Sequence, residues 1–188
     1  MMLSEKLKND TKHNHQVLEK KLVAQMRSMR SVQDCGKMLS LFYGFFGGLE
    51  IMINQHFDTF RLPDYLQRRK TAALANDLKD LGINLPKLAD NADLPHIKNH
   101  LQSLGALYVI EGSTLGGKII SKMIQQQLNI GDNVGLSFFN GYGESTSLMW
   151  EIFKQCINYP MEAYQDDIVI ASANDTFSKF SNWFDKQS

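Results

Sequence analysis

An all-α fold is what this sequence predicts, on three observations: apolar residues recur at spacings of three and four over long stretches, alternating apolar/polar runs are few, and only four prolines interrupt 188 residues. A chain of this length is most simply one multi-helix domain over 1–188, large enough to bury a core without staples.

The elements follow in order. A first helix is predicted over 3–24, because Leu3, Leu7, Thr11, His15, Leu18 and Leu22 fall on one stripe. A second starts at Ser31 or Asp34, either of which can N-cap, and runs through "MLSLFYGFFGGLEIMI" to about Arg61, before Pro63. The third carries "DYLQRRKTAALANDLKDLG", with Gly82 as its stop. "INLPKLADNADLP" reads as a loop. Asp93 and Pro95 then serve as N-cap and early position of a long helix ending near Leu128. A Gly-rich connection, "NIGDNVGLSFFNGYGES", leads to a helix holding "LMWEIFKQCINY". Pro160 separates it from a last helix with "IVIASANDTFSKFSNWF".

Composition narrows the function. Lysine plus arginine equals aspartate plus glutamate at 20 each, so no charge excess points to nucleic acid. No apolar leader core and no run of about 18 apolar residues marks export or a membrane span. Cys35 and Cys156 have no CxxC partner, which argues against a disulfide framework and a zinc or iron–sulfur site. Both read as buried thiols, and the protein as cytoplasmic.

Two segments carry the chemistry. "LYVIEGSTLGGKII", residues 107–120, reads as buried helix, yet Gly112, Gly116 and Gly117 each cost roughly 1 kcal/mol there relative to alanine. Such glycines let another backbone, or something that is not protein, approach the main chain. In the first helix His15 shares the stripe of Leu7 and Leu18, whereas His13 lies about 200° away. Glu19, one turn on, can orient the His15 imidazole, and Lys8 and Lys12 flank it. A core histidine with solvated lysines accounts for the same residues. A flat ligand with a central metal and edge carboxylates uses them all together: His15 on iron, Lys8 and Lys12 on the carboxylates of haem.

"LKNDTKHNHQVLE" with "ALYVIEGSTLGGKII" resembles the heme oxygenase family, in particular its short bacterial members. "LFYGFFGGLE", "LANDLKDLG", "GLSFF" and "ANDTF" extend the resemblance over nearly the whole chain. It implies haem held between a proximal N-terminal helix and a kinked, Gly-rich distal helix. It further implies an enzyme that opens haem to biliverdin with release of iron and carbon monoxide, using O₂ and electrons from a separate reductase or ferredoxin. Carried over, His15 is the iron ligand and Glu19 its orienting partner. Lys8, Lys12 and Lys154 meet the propionates, Phe46 and Phe177 line the haem, and Gly112, Gly116 and Gly117 form the distal backbone. Where many members have an aspartate after the first distal glycine, this chain has Ser113, a hydroxyl that can hold a water without charge. Asn158 stands where an arginine often meets a propionate. The alternative function on the same residues is a haem storage or transfer protein. A carboxylate di-iron bundle would need Glu-x-x-His pairs, and the sequence has none.

Overall fold

The computed structural model describes residues 1–131 and 135–187. Every regular element among them is helical: α1 (Leu3–Asp10), α2 (Lys12–Ser28), α3 (Val32–His56), α4 (Ala72–Asp80), α5 (His100–Leu128), α6 (Ser137–Asn140), α7 (Thr146–Ile157) and α8 (Ala163–Gln187), with short 3-10 turns between. Helices α5 and α8 form the main interface, and α3, α6 and α7 pack around α5. One hydrophobic cluster joins them, centred on Phe42, Phe45, Phe46, Phe138 and Phe180, in which Phe45 and Phe180 stack at 4.6 Å.

The first helix is broken where the stripe reads straight through. Thr11 is buried, and its Oγ1 donates to the Leu7 carbonyl at 2.7 Å, a back-bond that bends helices. Thr11 ends α1 and α2 starts at the next residue. The second helix stops at His56 rather than Arg61, because the Asp58 carboxylate accepts from Phe60 N–H and starts a 3-10 turn.

The third helix is shorter than its sequence suggests. Residues from Tyr65 to Thr71 are spent on a 3-10 turn and extended backbone, since Arg68, Arg69 and Thr71 are all drawn to partners on other helices. Helix α5 starts at His100 and not near Asp93. Asn99 is its N-cap, accepting from Gln102 N–H at 3.0 Å, while Gln102 Oε1 accepts from Lys98 N–H at 2.8 Å. Asp93 instead pairs with Lys186. At its other end α5 closes on Asn129, whose φ of 50° is the left-handed cap conformation. The Asp132–Val134 part of the Gly-rich connection lies outside the described residues. Cys35 is buried and its thiol pushed up to about 11 by burial, whereas Cys156, expected to be buried, is half-exposed.

Gly105 explains how α5 and α8 come so close: a methyl there would collide with the Val169 carbonyl and the Ser172 side chain. Gly105→Ala is therefore expected to destabilise the protein by about 1–3 kcal/mol, the usual range for overpacking, despite its better helix propensity. Urea denaturation checks this; a gain in stability would mean the two helices can move apart freely.

Candidate functional site

The break at Thr11 is where the two chemistry-bearing segments meet. Tyr108 of α5, buried, stands near the Thr11 side chain; burial pushes its phenol up, and the Thr11 hydroxyl works the other way. Tyr108 also packs on Trp150 of α7, ring centroids 5.6 Å apart. Trp150 in turn stands beside Gly112, 3.9 Å from where a Cβ would be. One side of α5, one side of α7 and the α1–α2 junction thus share a single neighbourhood.

His15 lies between buried Thr11 and Leu18 on the expected stripe, but its ring is exposed rather than turned into the core. The ring meets Phe177 of α8 edge-on at 5.5 Å. On either side of it α2 is bound to α8, through Asn14 to Asn174 at 2.7 Å and Lys21 to Ser181 Oγ at 2.7 Å. His13 is exposed too. The His15–Glu19 bridge is not formed: Glu19 is exposed and makes no hydrogen bond or ion pair among the described residues, as expected where water competes on equal terms. Lys8 and Lys12 are exposed and likewise unpaired. Lys154 pairs with Glu151 at 2.8 Å on its own helix. Asn158 accepts from Ser4 N–H at 2.9 Å and so caps α1 across the fold.

The glycines of α5 divide into two kinds. Gly117 does not belong to an open face: a Cβ there would run into the Phe139 carbonyl of α6, so this glycine admits a neighbouring backbone. Gly116 is open, with nothing within 4 Å of a built Cβ, and Gly112 meets only Trp150. Exposed Leu115 and Ile119 share that face. Phe46 is likewise corrected. It is 2% exposed among Phe42, Phe45, Phe138 and Phe180, a core side chain with no surface to offer a ligand.

Ser113 is already engaged. Its hydroxyl donates to the Ile110 carbonyl at 2.6 Å and accepts from Arg69 Nη2 at 2.6 Å, so its single proton is spent within the helix. Around it lies a group of charges that sequence reasoning passed over. Glu111, 1% exposed, accepts from Arg68 Nη1 at 2.6 Å and from the Tyr142 hydroxyl at 2.9 Å. Arg68 also forks onto Asp64 through two 2.9 Å bonds. Burial opposes the Arg68 cation, but Asp64 and Glu111 outweigh it and hold its pKa above the ordinary value. The Tyr142 phenol, pushed well up by burial and then by Glu111, stays a donor. Arg69 lies over the Phe138 ring at 3.8 Å and donates to the Phe138 and Ile110 carbonyls, and burial brings it down to about 10. The available signals were "QRRK" beside a turn and a lone glutamate inside "LYVIEG".

Chemically, these residues offer an exposed imidazole with an aromatic ring against it, unpaired lysines and, on α5, a strip of bare main chain. These residues fit a flat, apolar, dianionic macrocycle with a ligand-accepting metal: Gly116 leaves open space beside bare main chain, and the His15 ring is exposed. Among the described residues no three His, Cys, Asp or Glu side chains converge as a di-metal site would require. The two glycines separate in a stability measurement. Gly117→Ala should lower stability by about 1–3 kcal/mol, and Gly116→Ala should raise it by up to about 1 kcal/mol. Chemical denaturation of both variants checks the division, and equal effects would refute it.

The sequence profile described as heme oxygenase matches residues 1–186. A heme oxygenase of Xanthomonas campestris pv. campestris (strain 8004) is 34% identical over 80 residues, 43% of this chain and 46% of that protein, so the alignment spans about half the length of the curated relative. The NO- and CO-bound heme oxygenase of Neisseria meningitidis superposes with a TM-score of 0.81 at 20% identity, covering all of this chain and 92% of that one. Heme oxygenase from Leptospira interrogans follows at 0.75 and 15%, covering 99% of this chain and 100% of that one. At these identities the structures speak for the fold alone, and they share this all-helical arrangement. With the profile running through all eight helices, the chain belongs to the heme oxygenase family.

Proposed function

We propose that this protein is an enzyme that cleaves haem to biliverdin, releasing iron and carbon monoxide, with O₂ as oxidant and electrons from a separate reductase or ferredoxin. The observation that carries the reading is the division of the α5 glycines: Gly105 and Gly117 are filled by neighbouring backbone, whereas Gly112 and Gly116 present bare main chain beside apolar side chains. Helix packing accounts for the first pair and leaves the second without a structural purpose. A ligand face supplies one, and family membership says which ligand.

Bound haem supplies the iron at which O₂ is reduced and the ring that is oxidised. The residues of this chain do the rest. His15 holds the macrocycle from the α2 side, with Phe177 fixing the ring edge-on. Lys8, Lys12 and, once released from Glu151, Lys154 meet the propionates. Gly112 and Gly116 would present bare main chain to the bound ligand with no side chain between, and a close fit there would help exclude bulk water. Ser113, with its proton already given to Ile110, can only accept a hydrogen bond there. No described helix is long and apolar enough to cross a membrane. A reducing cytoplasm, in which Cys35 and Cys156 stay the free thiols they are here, completes the proposal.

Adding haemin should produce a Soret band, and reductant with O₂ should then give a green verdin. A stable Soret band without verdin would point to storage or transfer instead. His15→Ala is expected to lose the axial-histidine signature and most turnover, with partial rescue by imidazole, while His13→Ala does little; the reverse pattern overturns the assignment. Replacing Lys8 and Lys12 together should shift the biliverdin isomer ratio more than haem affinity, because exposed ion pairs contribute only about 0–1 kcal/mol each against burial of a macrocycle. Chromatography of the product with a haemin titration tests this, and collapsed affinity at a fixed ratio would contradict it.

A further inference from the structure

At 100° per residue, Gly112 and Gly116 lie together on one side of α5, Ile110, Glu111 and Gly117 point away from it, and Ser113 lies on the flank between. The polar contacts just described fall on that flank and on the far side, none of them on the glycine face itself. Arg69 bonds the Ile110 carbonyl at 2.9 Å and Ser113 at 2.6 Å, and Arg68 holds Glu111 at 2.6 Å. Tyr142 links the two arginines: its hydroxyl donates to Glu111 and accepts from Arg69 N–H at 3.0 Å. The helix is thus gripped from behind, one turn deep, where its front is bare backbone.

Two features mark this as more than burial of stray charge. Arg69 Nε is out of contact with solvent and has no hydrogen-bond partner, an uncompensated cost at a site that could have been apolar. The bonds also reach main chain, at Ile110 and Phe138, so they fix axial position and rotation and not only side-chain charge.

We propose that Arg69, acting with Tyr142 and the Arg68–Glu111 pair, is a positioning residue that sets where the Gly112–Gly116 backbone stands relative to bound haem. This rests on reading the glycine face as the haem side. Loss of the grip frees residues 110–117 to shift by fractions of an ångström, enough to change contact with a ligand lying on bare main chain and too little to unfold α5, which Gly105 still anchors to α8.

The test uses the full chain as wild type, Arg69→Met, Arg69→Lys and Tyr142→Phe, the last removing only one hydroxyl. Without haem, amide hydrogen exchange is expected to rise about tenfold in residues 110–117 of Arg69→Met and Tyr142→Phe while α8 keeps its protection. With haem, the same variants should bind haemin within about threefold of wild type. Their ferrous CO adducts should nevertheless show a shifted or broadened C–O stretch and an altered biliverdin isomer ratio, with Arg69→Lys intermediate. Exchange and C–O band unchanged, exchange raised uniformly through all helices, or Arg69→Lys behaving no better than Arg69→Met would each overturn the proposal. If local exchange rises as expected but wild type gives no Soret band with haemin, the grip on the helix stands and the haem assignment falls.

Discussion

A carboxylate cannot be left unneutralised inside a helical protein, and Glu111 sits 1% exposed in the middle of the longest helix. Its charge must be met where it lies. Arg68 meets it, and Arg68 is itself completely buried on its side chain and needs Asp64 to share the load. Buried pairs of this kind add little net stability against an apolar alternative, but removing one partner is costly. The arrangement therefore acts as a constraint on geometry. Residues 64–71 have to leave helical conformation to deliver two arginines and Thr71 to three different partners, and α4 begins only after them.

The constraint extends to both flanks of α5. On one side α8 approaches through Gly105, and on another α6 approaches through Gly117, each at a distance no side chain allows. Helix α6 is only four residues long, and Asp77 of α4 holds its start by accepting from Ser137 and Phe138 N–H, both at 2.8 Å. The same short helix carries Phe138, on whose ring Arg69 lies, and Phe139, whose carbonyl fills the place of a Gly117 side chain. Core aromatics, buried charge and close-approach glycines meet in a few residues, which makes the back of α5 stiff. Its front carries Gly112, Leu115, Gly116 and Ile119 with little protein against them. A rigid back and an accessible front suit a helix that presents main chain to a ligand.

Helix periodicity was sufficient to place α2, α3, α5, α7 and α8, because each buries a continuous stripe or is apolar throughout. It read past Thr11, where a local back-bond and not a loss of amphipathicity ends α1. It also made α4 too long, since "DYLQRRK" has acceptable helix propensity and only the buried acceptors on other helices pull it straight. The stripe that carries His15 between Thr11 and Leu18 was legible from spacing. The exposure of His15 was not, because the depth of a stripe depends on how far neighbouring helices extend over it.

By itself the sequence determined an all-α chain and the positions of its principal helices, and it displayed a histidine-bearing first segment and a glycine-bearing central one, since periodicity, caps and motifs are local properties. Only the tertiary structure decided which glycines are filled and which are open, that Phe46 belongs to the core, that Ser113 faces Arg69, and that Glu111 is held by Arg68 and Tyr142, both far from it in the chain. Each of those depends on what stands on the far side of a helix. Spacing along one strand of sequence records direction around an axis, and what occupies that direction is set by the rest of the fold.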